Sequence, residues 1–172
     1  MKLGRLHDLF ILQLQDLYDA EQQITQAIPQ MIQFVHSDEL REVLTNHLDE
    51  TRRQISKLEN LAQDLDIDLT GKTCIGMEGI IEEAVEFMQE ATPGWTLDSA
   101  LIGCAQKIDH YEIAGYGTAA AYAKQIQHDE ALNTLLGILQ EEKNSDQKLT
   151  NLAEGLINRQ ADQSMPRMPR AL

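Results

Sequence analysis

Long helical stripes of apolar residues most constrain what this chain can fold into. Over residues 5–35 the apolar side chains recur three and four positions apart, as one face of an α-helix requires. Similar stripes follow over residues 37–65, 97–125 and from about residue 129 onward, and a shorter one covers residues 77–88. Only 4 prolines occur in 172 residues, so the stripes are long. The sequence therefore predicts an all-α protein.

The connections between the stripes predict how the helices are joined. Short links follow the first and third long helices, so each forms an antiparallel hairpin with its successor. The second and third long helices are separated by roughly 30 residues, enough to run the length of a bundle. We therefore expect a ferritin-like four-helix bundle, with two hairpins and a long crossover that carries a short extra helix. We assign the bundle to residues 1–158 and a flexible C-terminal tail to residues 159–172, which have no apolar face.

An internal repeat supports this pairing of helices. A shift of 91 positions places residues 14–21 (LQDLYDAE) over residues 105–112 (AQKIDHYE). The same shift places residues 58–63 (LENLAQ) over residues 149–154 (LTNLAE). Two matched hairpins facing each other about a pseudo-twofold axis would bring equivalent residues together in the core.

Charge and composition exclude several classes of function. The formal net charge of -14 disfavours binding to nucleic acid and to anionic membrane surfaces. No apolar stretch has the roughly 20 residues of a membrane span, and the N-terminus lacks a hydrophobic signal core. The two cysteines form no CxxC pair, which argues against a disulfide framework or a zinc ribbon. We expect a soluble cytoplasmic protein.

Acidic residues stand at stripe positions where a core residue is expected. They are accompanied by one histidine on the second long helix. Helix by helix, the candidates are Glu21, then His47 and Glu50, then Glu112, and finally Glu141 or Glu142 with Asp146. The repeat relates Glu21 to Glu112 and Glu50 to Glu141, whereas the stripe itself favours Glu142, so both glutamates stay candidates.

Buried carboxylates on four helices predict a metal centre. Each buried carboxylate costs several kcal/mol unless a cation compensates it. Iron and manganese accept carboxylate oxygen and imidazole nitrogen, and bundle proteins hold two such ions with one Glu from each helix. We therefore expect a carboxylate-bridged dinuclear iron or manganese centre. Glu21 and Glu112 would be terminal or chelating ligands, and Glu50 with Glu141 or Glu142 would bridge.

Several segments also resemble a known family. These are GMEGIIEEA (76–84), AQKIDHYEIAGYGT (105–118), LQDLYDAEQQ (14–23), HLDETRRQI (47–55) and EEKNSDQKLTNLAE (141–154). They resemble the YciE/YciF family of bacterial ferritin-like stress-response proteins, and the resemblance extends to about Gly155. It implies a dimeric helical bundle with a ferritin-like fold, a dinuclear iron or manganese centre, and induction under stress.

The chain departs from the wider ferritin pattern in one respect. Dinuclear sites of this fold use Glu-x-x-His on the second and fourth helices, but no histidine follows Glu50, Glu141 or Glu142 at that spacing. His47 and Asp146 would then supply ligands from neighbouring turns, giving a site richer in oxygen. Beside this site, Tyr18 lies one turn before Glu21 and is placed to hydrogen-bond a bound carboxylate.

The expected function is a ferroxidase-like oxidation of ferrous iron by dioxygen or peroxide. A manganese catalase-like breakdown of peroxide is the enzymatic alternative. A helical stress or partner-binding protein whose acids are merely solvated is the non-enzymatic one. We also expect a homodimer, because the helix over residues 77–88 carries more apolar residues than a lone surface helix needs.

Overall fold

The computed structural model describes residues 4–163, which contain helices and no strand and so confirm the all-α class. None of the helices in this range is both long and apolar enough to cross a bilayer. The elements are α1 (Leu6–Phe34), α2 (Asp38–Leu65), α3 (Ile75–Glu90), α4 (Trp95–Gln125), α5 (Asp129–Leu152), a π-helical segment (Ala153–Ile157) and α6 (Asn158–Gln163).

The four long helices form a closed ring of contacts. Helix α1 packs against α2 and α4, and α5 packs against α4 and α2. Residues 35–37 join the first hairpin and residues 126–128 join the second. The crossover between the hairpins carries α3, which lies against α1 and α4. The connections predicted from the sequence are therefore present in the observed order.

The connections within the two hairpins lie at positions that are 91 residues apart. Helices α1 and α4 end at residues 34 and 125, and α2 and α5 begin at residues 38 and 129. The hydroxyl of Ser37 caps α2 by accepting a hydrogen bond from the Leu40 N–H at 3.3 Å. In the equivalent place, Nδ1 of His128 caps α5 by accepting from the Ala131 N–H at 3.2 Å. The internal repeat is thus a repeat of structure.

Two apolar clusters form the core and lie at successive levels along the long helices. One includes Ile24, Leu44 and Ile108, and the other includes Leu17 and Leu58. In each long helix, the change from one cluster to the other occurs across a short stretch of buried polar side chains. The apolar stripes are therefore interrupted at one level of the bundle.

Helices α1 and α4 approach closely near this level. A Cβ atom at Gly115 would lie 2.6 Å from Cδ2 of Leu17, so the absence of a side chain at Gly115 permits the contact. The Gly and Ala residues of α4 predict such a close neighbour from the sequence alone.

The helical backbone continues beyond the predicted domain boundary at residue 158. Ile157 is buried in the core, and α6 packs against α4, so the last turns to Gln163 have packing partners. Ser99 also donates a hydrogen bond to Oδ1 of Asn158 at 2.5 Å. The remainder of the predicted tail, residues 164–172, lies outside the described residues.

Candidate metal centre

A layer of buried polar side chains crosses the bundle between the two apolar clusters. We call it the polar layer. Helix α1 contributes one member, α2 contributes three, and α4 and α5 contribute two each. Its members are Glu21, His47, Thr51, Gln54, Asp109, Glu112, Glu142 and Ser145, all at most 2% exposed.

Four members of the polar layer converge on one point. Each of His47, Asp109, Glu112 and Glu142 offers a ligand atom, and these atoms all lie within 4.8 Å of one another. Nδ1 of His47 is 3.6 Å from Oδ1 of Asp109, and Nε2 is 3.7 Å from Oε2 of Glu142. These separations are too long for hydrogen bonds, but they leave a central position that a cation could occupy. We call these residues the four-residue cluster.

The polar layer is unusual because many of its polar atoms have no hydrogen-bond partner. Among the residues that the structure describes, every buried side-chain nitrogen or oxygen without a hydrogen-bond partner belongs to this layer. The atoms are Oε2 of Glu21, both ring nitrogens of His47, Oγ1 of Thr51, Oε1 of Gln54, both carboxylate oxygens of Asp109 and Glu112, and Oε2 of Glu142. Buried polar groups are normally paired, so a shared binding partner is the simplest explanation.

Burial and mutual repulsion strongly perturb the acids. Burial, and then repulsion by Glu142, raise the pKa of Glu21 to about 8. The same two causes, in the same order, raise the pKa of Asp109 to about 9. Burial likewise raises the pKa of Glu142 to about 7 and places that of Glu112 well above its ordinary value. Without a cation, the acids of the layer therefore retain protons near neutral pH.

His47 is neutral in this environment. Burial, followed by repulsion from Lys148, lowers the pKa of its imidazole to about 4. A neutral imidazole supplies a ring nitrogen lone pair, which is the form that binds metal ions. His47 therefore adds a ligand atom to the layer but no compensating positive charge.

Two neighbours orient the carboxylates. The buried hydroxyl of Tyr116 donates a short hydrogen bond to Oε1 of Glu21, and the amide of Gln54 donates to Oε1 of Glu142. The sequence predicts Tyr18 for the first role, but the hydroxyl of Tyr18 instead donates to Glu59 at 3.0 Å. Tyr18 is a half-buried residue of α1 whose hydroxyl reaches Glu59 on α2, whereas the hydroxyl of Tyr116 on α4 reaches Glu21 within the core.

The structure places the predicted ligands in two groups. Glu21, His47, Glu112 and Glu142 lie in the polar layer. The other three, Glu50, Glu141 and Asp146, lie at its rim and are partly exposed, and all three pair with other side chains. Their roles as metal ligands stay predictions.

At the rim, each of these three acids has a polar partner. Nζ of Lys148 is 3.6 Å from Glu50, and Nζ of Lys57 is 2.7 Å from Glu141. Asp146 accepts a hydrogen bond from Gln106 at 2.8 Å. The rim acids are therefore neutralised or hydrogen-bonded without an ion, unlike the acids of the layer.

Four members of the layer are missing from the predicted ligand set, namely Asp109, Thr51, Gln54 and the neutral Ser145. Asp109 lies one turn before Glu112 on the same face of α4, and that spacing is visible in the sequence. Thr51 and Gln54 are neutral, so a search for inward acids passes over them. On α2 the buried face runs through Thr51 rather than through the adjacent Glu50.

Comparison with known proteins identifies relatives along almost the whole chain. The family described as "Domain of unknown function (DUF892)" matches residues 5–162. Protein YciF of Escherichia coli K12 is 37% identical over 163 residues, covering 94% of this chain and 98% of YciF.

Solved structures show the same fold. The E. coli stress protein YciF superposes with a TM-score of 0.85 at 38% identity, over 92% of this chain and 99% of YciF. YcfI of Rhodopseudomonas palustris, for which a structural role has been suggested, has a TM-score of 0.84 at 39% identity, over 87% of this chain and 95% of YcfI. The family match and the near full-length identity to YciF show that the chain belongs to the DUF892 family, the family of the YciF stress protein.

Proposed function

We propose that this protein is a ferritin-like stress protein whose carboxylate-bridged dinuclear metal centre oxidises ferrous iron with dioxygen or peroxide. The observation that carries the proposal is the four-residue cluster, whose ligand atoms are buried, lie within 4.8 Å of one another and lack hydrogen-bond partners. The ring of helix contacts and the crossover carrying α3 support the ferritin-like assignment.

A divalent cation fits the charge of the polar layer. The layer holds four carboxyl groups, Glu21, Asp109, Glu112 and Glu142, and no lysine or arginine. The nearby lysines Lys57 and Lys148 pair with acids at the rim. Either protons or a metal ion must therefore offset the buried carboxylates, and a divalent ion offsets two charges in one position.

The chemistry of the ligand atoms favours iron or manganese. Carboxylate oxygens and one imidazole nitrogen form a hard, oxygen-rich set, and the structure places no thiol among them. Such ligands bind the more highly charged ferric ion better than the ferrous ion, so they favour loss of an electron from bound ferrous iron. Two ferrous ions would supply two electrons, which with two protons reduce dioxygen to hydrogen peroxide, or hydrogen peroxide to two molecules of water.

The assembly and setting are part of the same proposal. A homodimer would cover apolar side chains of α3, where Ile75 is 76% exposed and Phe87 is 42% exposed. The chain's two cysteines, Cys74 and Cys104, are free thiols, and this state is typical of the cytoplasm. A role in the stress response is consistent with the description of the E. coli relative as a stress protein.

Metal analysis combined with a ferrous oxidation assay tests the proposal. We expect untagged protein purified without chelators to contain iron or manganese, and the metal-free protein to oxidise added ferrous iron faster than buffer does. Glu112→Ala should lower metal content and oxidation rate together, because it removes a carboxylate of the four-residue cluster. Glu78→Ala is the matched control, since Glu78 is an exposed glutamate of α3 outside the polar layer. Parent-like metal content and rate in Glu112→Ala would contradict the proposal.

A further inference from the structure

The rim of the metal centre obeys the pseudo-twofold relation between the hairpins. Lys57 pairs with Glu141, and Lys148 pairs with Glu50, both between α2 and α5. A shift of 91 residues converts the first pair into the second, since it relates Lys57 to Lys148 and Glu50 to Glu141. Together with the equivalent helix caps, these pairs show that the scaffold around the centre is symmetric.

The centre itself does not obey that relation. The same shift relates three members of the four-residue cluster to residues of a different type. His47, Asp109, Glu112 and Glu142 correspond to Ile138, Tyr18, Glu21 and Thr51 respectively. A symmetric pair of metal positions would need similar ligands in both halves, but only the pair Glu112 and Glu21 retains a carboxylate in both.

The counterparts supply little to a second ion. Ile138 is fully buried in an apolar cluster, and Tyr18 is bonded to Glu59 outside the layer. Thr51 lies in the layer but offers a neutral hydroxyl oxygen that has no hydrogen-bond partner. Gln54, one turn further along α2, offers a similarly unpaired neutral amide oxygen.

We infer that the two halves of the centre are unequal. The half built by His47, Asp109, Glu112 and Glu142 holds one divalent ion tightly. The half that contains Glu21, with neutral oxygens from Thr51 and Gln54, holds a second ion weakly and exchanges it. This inference rests on the proposed function, and it assigns the exchangeable position to the ferrous substrate. A neutral ligand contributes much less Coulomb attraction than a carboxylate in a buried site, which is why the affinities differ.

Titration of the metal-free protein with Mn²⁺ tests the inference. Calorimetry gives the number and affinity of bound ions, and electron paramagnetic resonance separates an isolated ion from a magnetically coupled pair. We expect one ion per chain to bind first with the signal of an isolated ion, and a second to bind at least about 10-fold more weakly. Two ions of equal affinity that form a coupled pair from the first additions would overturn the inference while leaving the proposed function intact. Absence of any bound Mn²⁺ would overturn both.

Substitutions in the weak half should change the affinity for the second ion in opposite directions. Thr51→Glu places a carboxylate at the position that the repeat relates to Glu142. It should therefore raise the affinity for the second ion by about 10-fold or more. In Thr51→Val, the valine side chain has a similar volume but lacks the hydroxyl oxygen. This variant should lower the affinity for the second ion only. An unchanged second affinity in Thr51→Glu would count against the assignment.

A variant that adds no charge covers the case in which Thr51→Glu does not fold. Glu21→Gln should abolish the second binding step and leave the first ion within about threefold of the parent affinity. Asp109→Asn is the matching acid-to-amide change in the strong half, and it should lower the affinity for the first ion instead. Equal losses of both ions in Glu21→Gln would show that the halves are not separate and would overturn the inference.

Discussion

Single hydroxyl and amide groups set the positions of the carboxylates in the polar layer. Glu21 is fully buried, and its Oε1 atom depends on the hydroxyl of Tyr116 for a hydrogen bond. That bond lowers the pKa of Glu21 and so opposes the larger effect of burial. Tyr116 is itself fully buried, and its ring packs in the apolar cluster that contains Leu17 and Leu58. The aromatic ring therefore belongs to the core, and its hydroxyl belongs to the polar layer.

Removing that hydroxyl should destabilise the metal-free protein. In Tyr116→Phe the ring still fills its place, but Oε1 of Glu21 loses its donor in a buried environment. We expect a loss of about 1–3 kcal/mol in the free energy of unfolding, measured by urea denaturation in chelator. Tyr122→Phe is the control, because the hydroxyl of Tyr122 has no hydrogen bond to any described residue, and we expect it to be nearly neutral. Equal stability of Tyr116→Phe and the parent would show that Glu21 does not depend on this bond.

At the scale of the helices, the sequence predicts the positions of the long helices well, but it predicts less well which side chains of each helix face the core. The apolar stripes locate every long helix. The inward face of α2 is harder to predict, since both Glu50 and Thr51 fall within one turn of His47 and Gln54. Charge draws attention to Glu50, but packing of α2 against α5 buries Thr51 and leaves Glu50 at the rim beside Lys148.

Individual side-chain hydrogen bonds between elements that are distant in sequence could not be predicted. The pairing of Tyr116 with Glu21 joins residues 95 positions apart, and no local spacing reveals it. Asp98 is a second example, because it appears in the sequence only as an acid in the first turn of a helix. In the structure it is fully buried and accepts hydrogen bonds from the backbone N–H groups of His36 and Ser37, at 2.8 Å and 2.7 Å. It thereby ties the start of α4 to the connection between α1 and α2.

Asp98→Asn should therefore weaken the junction of the two hairpins. The amide keeps one acceptor oxygen but places an NH₂ group against a backbone donor, so one buried N–H loses its partner. We expect the free energy of unfolding to fall by about 1–3 kcal/mol, measured by urea denaturation. Asp38→Asn changes an almost fully exposed acid in the first turn of α2 and should cost less than about 1 kcal/mol. Similar losses in the two variants would contradict the role assigned to Asp98.

For the whole molecule, the polar layer makes the stability of the fold depend on how its buried carboxyl groups are compensated. The layer interrupts the hydrophobic core at the level where all four long helices meet, so its charge acts on both hairpins at once. Without a cation, folding requires the buried acids to keep protons that the same acids lose in the unfolded chain at neutral pH. A bound metal ion takes the place of those protons. Stability should therefore depend on pH and on metal together.

The metal-free protein should lose stability as pH rises through neutrality. The folded-state pKa values of Glu21 and Glu142 are raised from 4.5 to about 8 and about 7, so their contribution to stability is full below pH 4.5 and is lost progressively as pH rises from there to those raised values. The pKa of His47 is lowered from its ordinary 6.5 to about 4, so His47 makes stability rise with pH only below about pH 6.5 and does not offset the trend above that pH. We expect Tm in chelator to fall between about pH 6.5 and about pH 8.5, and the increase in Tm caused by Mn²⁺ to grow over the same interval. Glu21→Gln removes one titrating group while leaving an acceptor oxygen for Tyr116, so its metal-free Tm should fall less steeply. A metal-free Tm that is flat or rising over this interval, measured by calorimetry, would show that the buried acids are compensated by something other than protons.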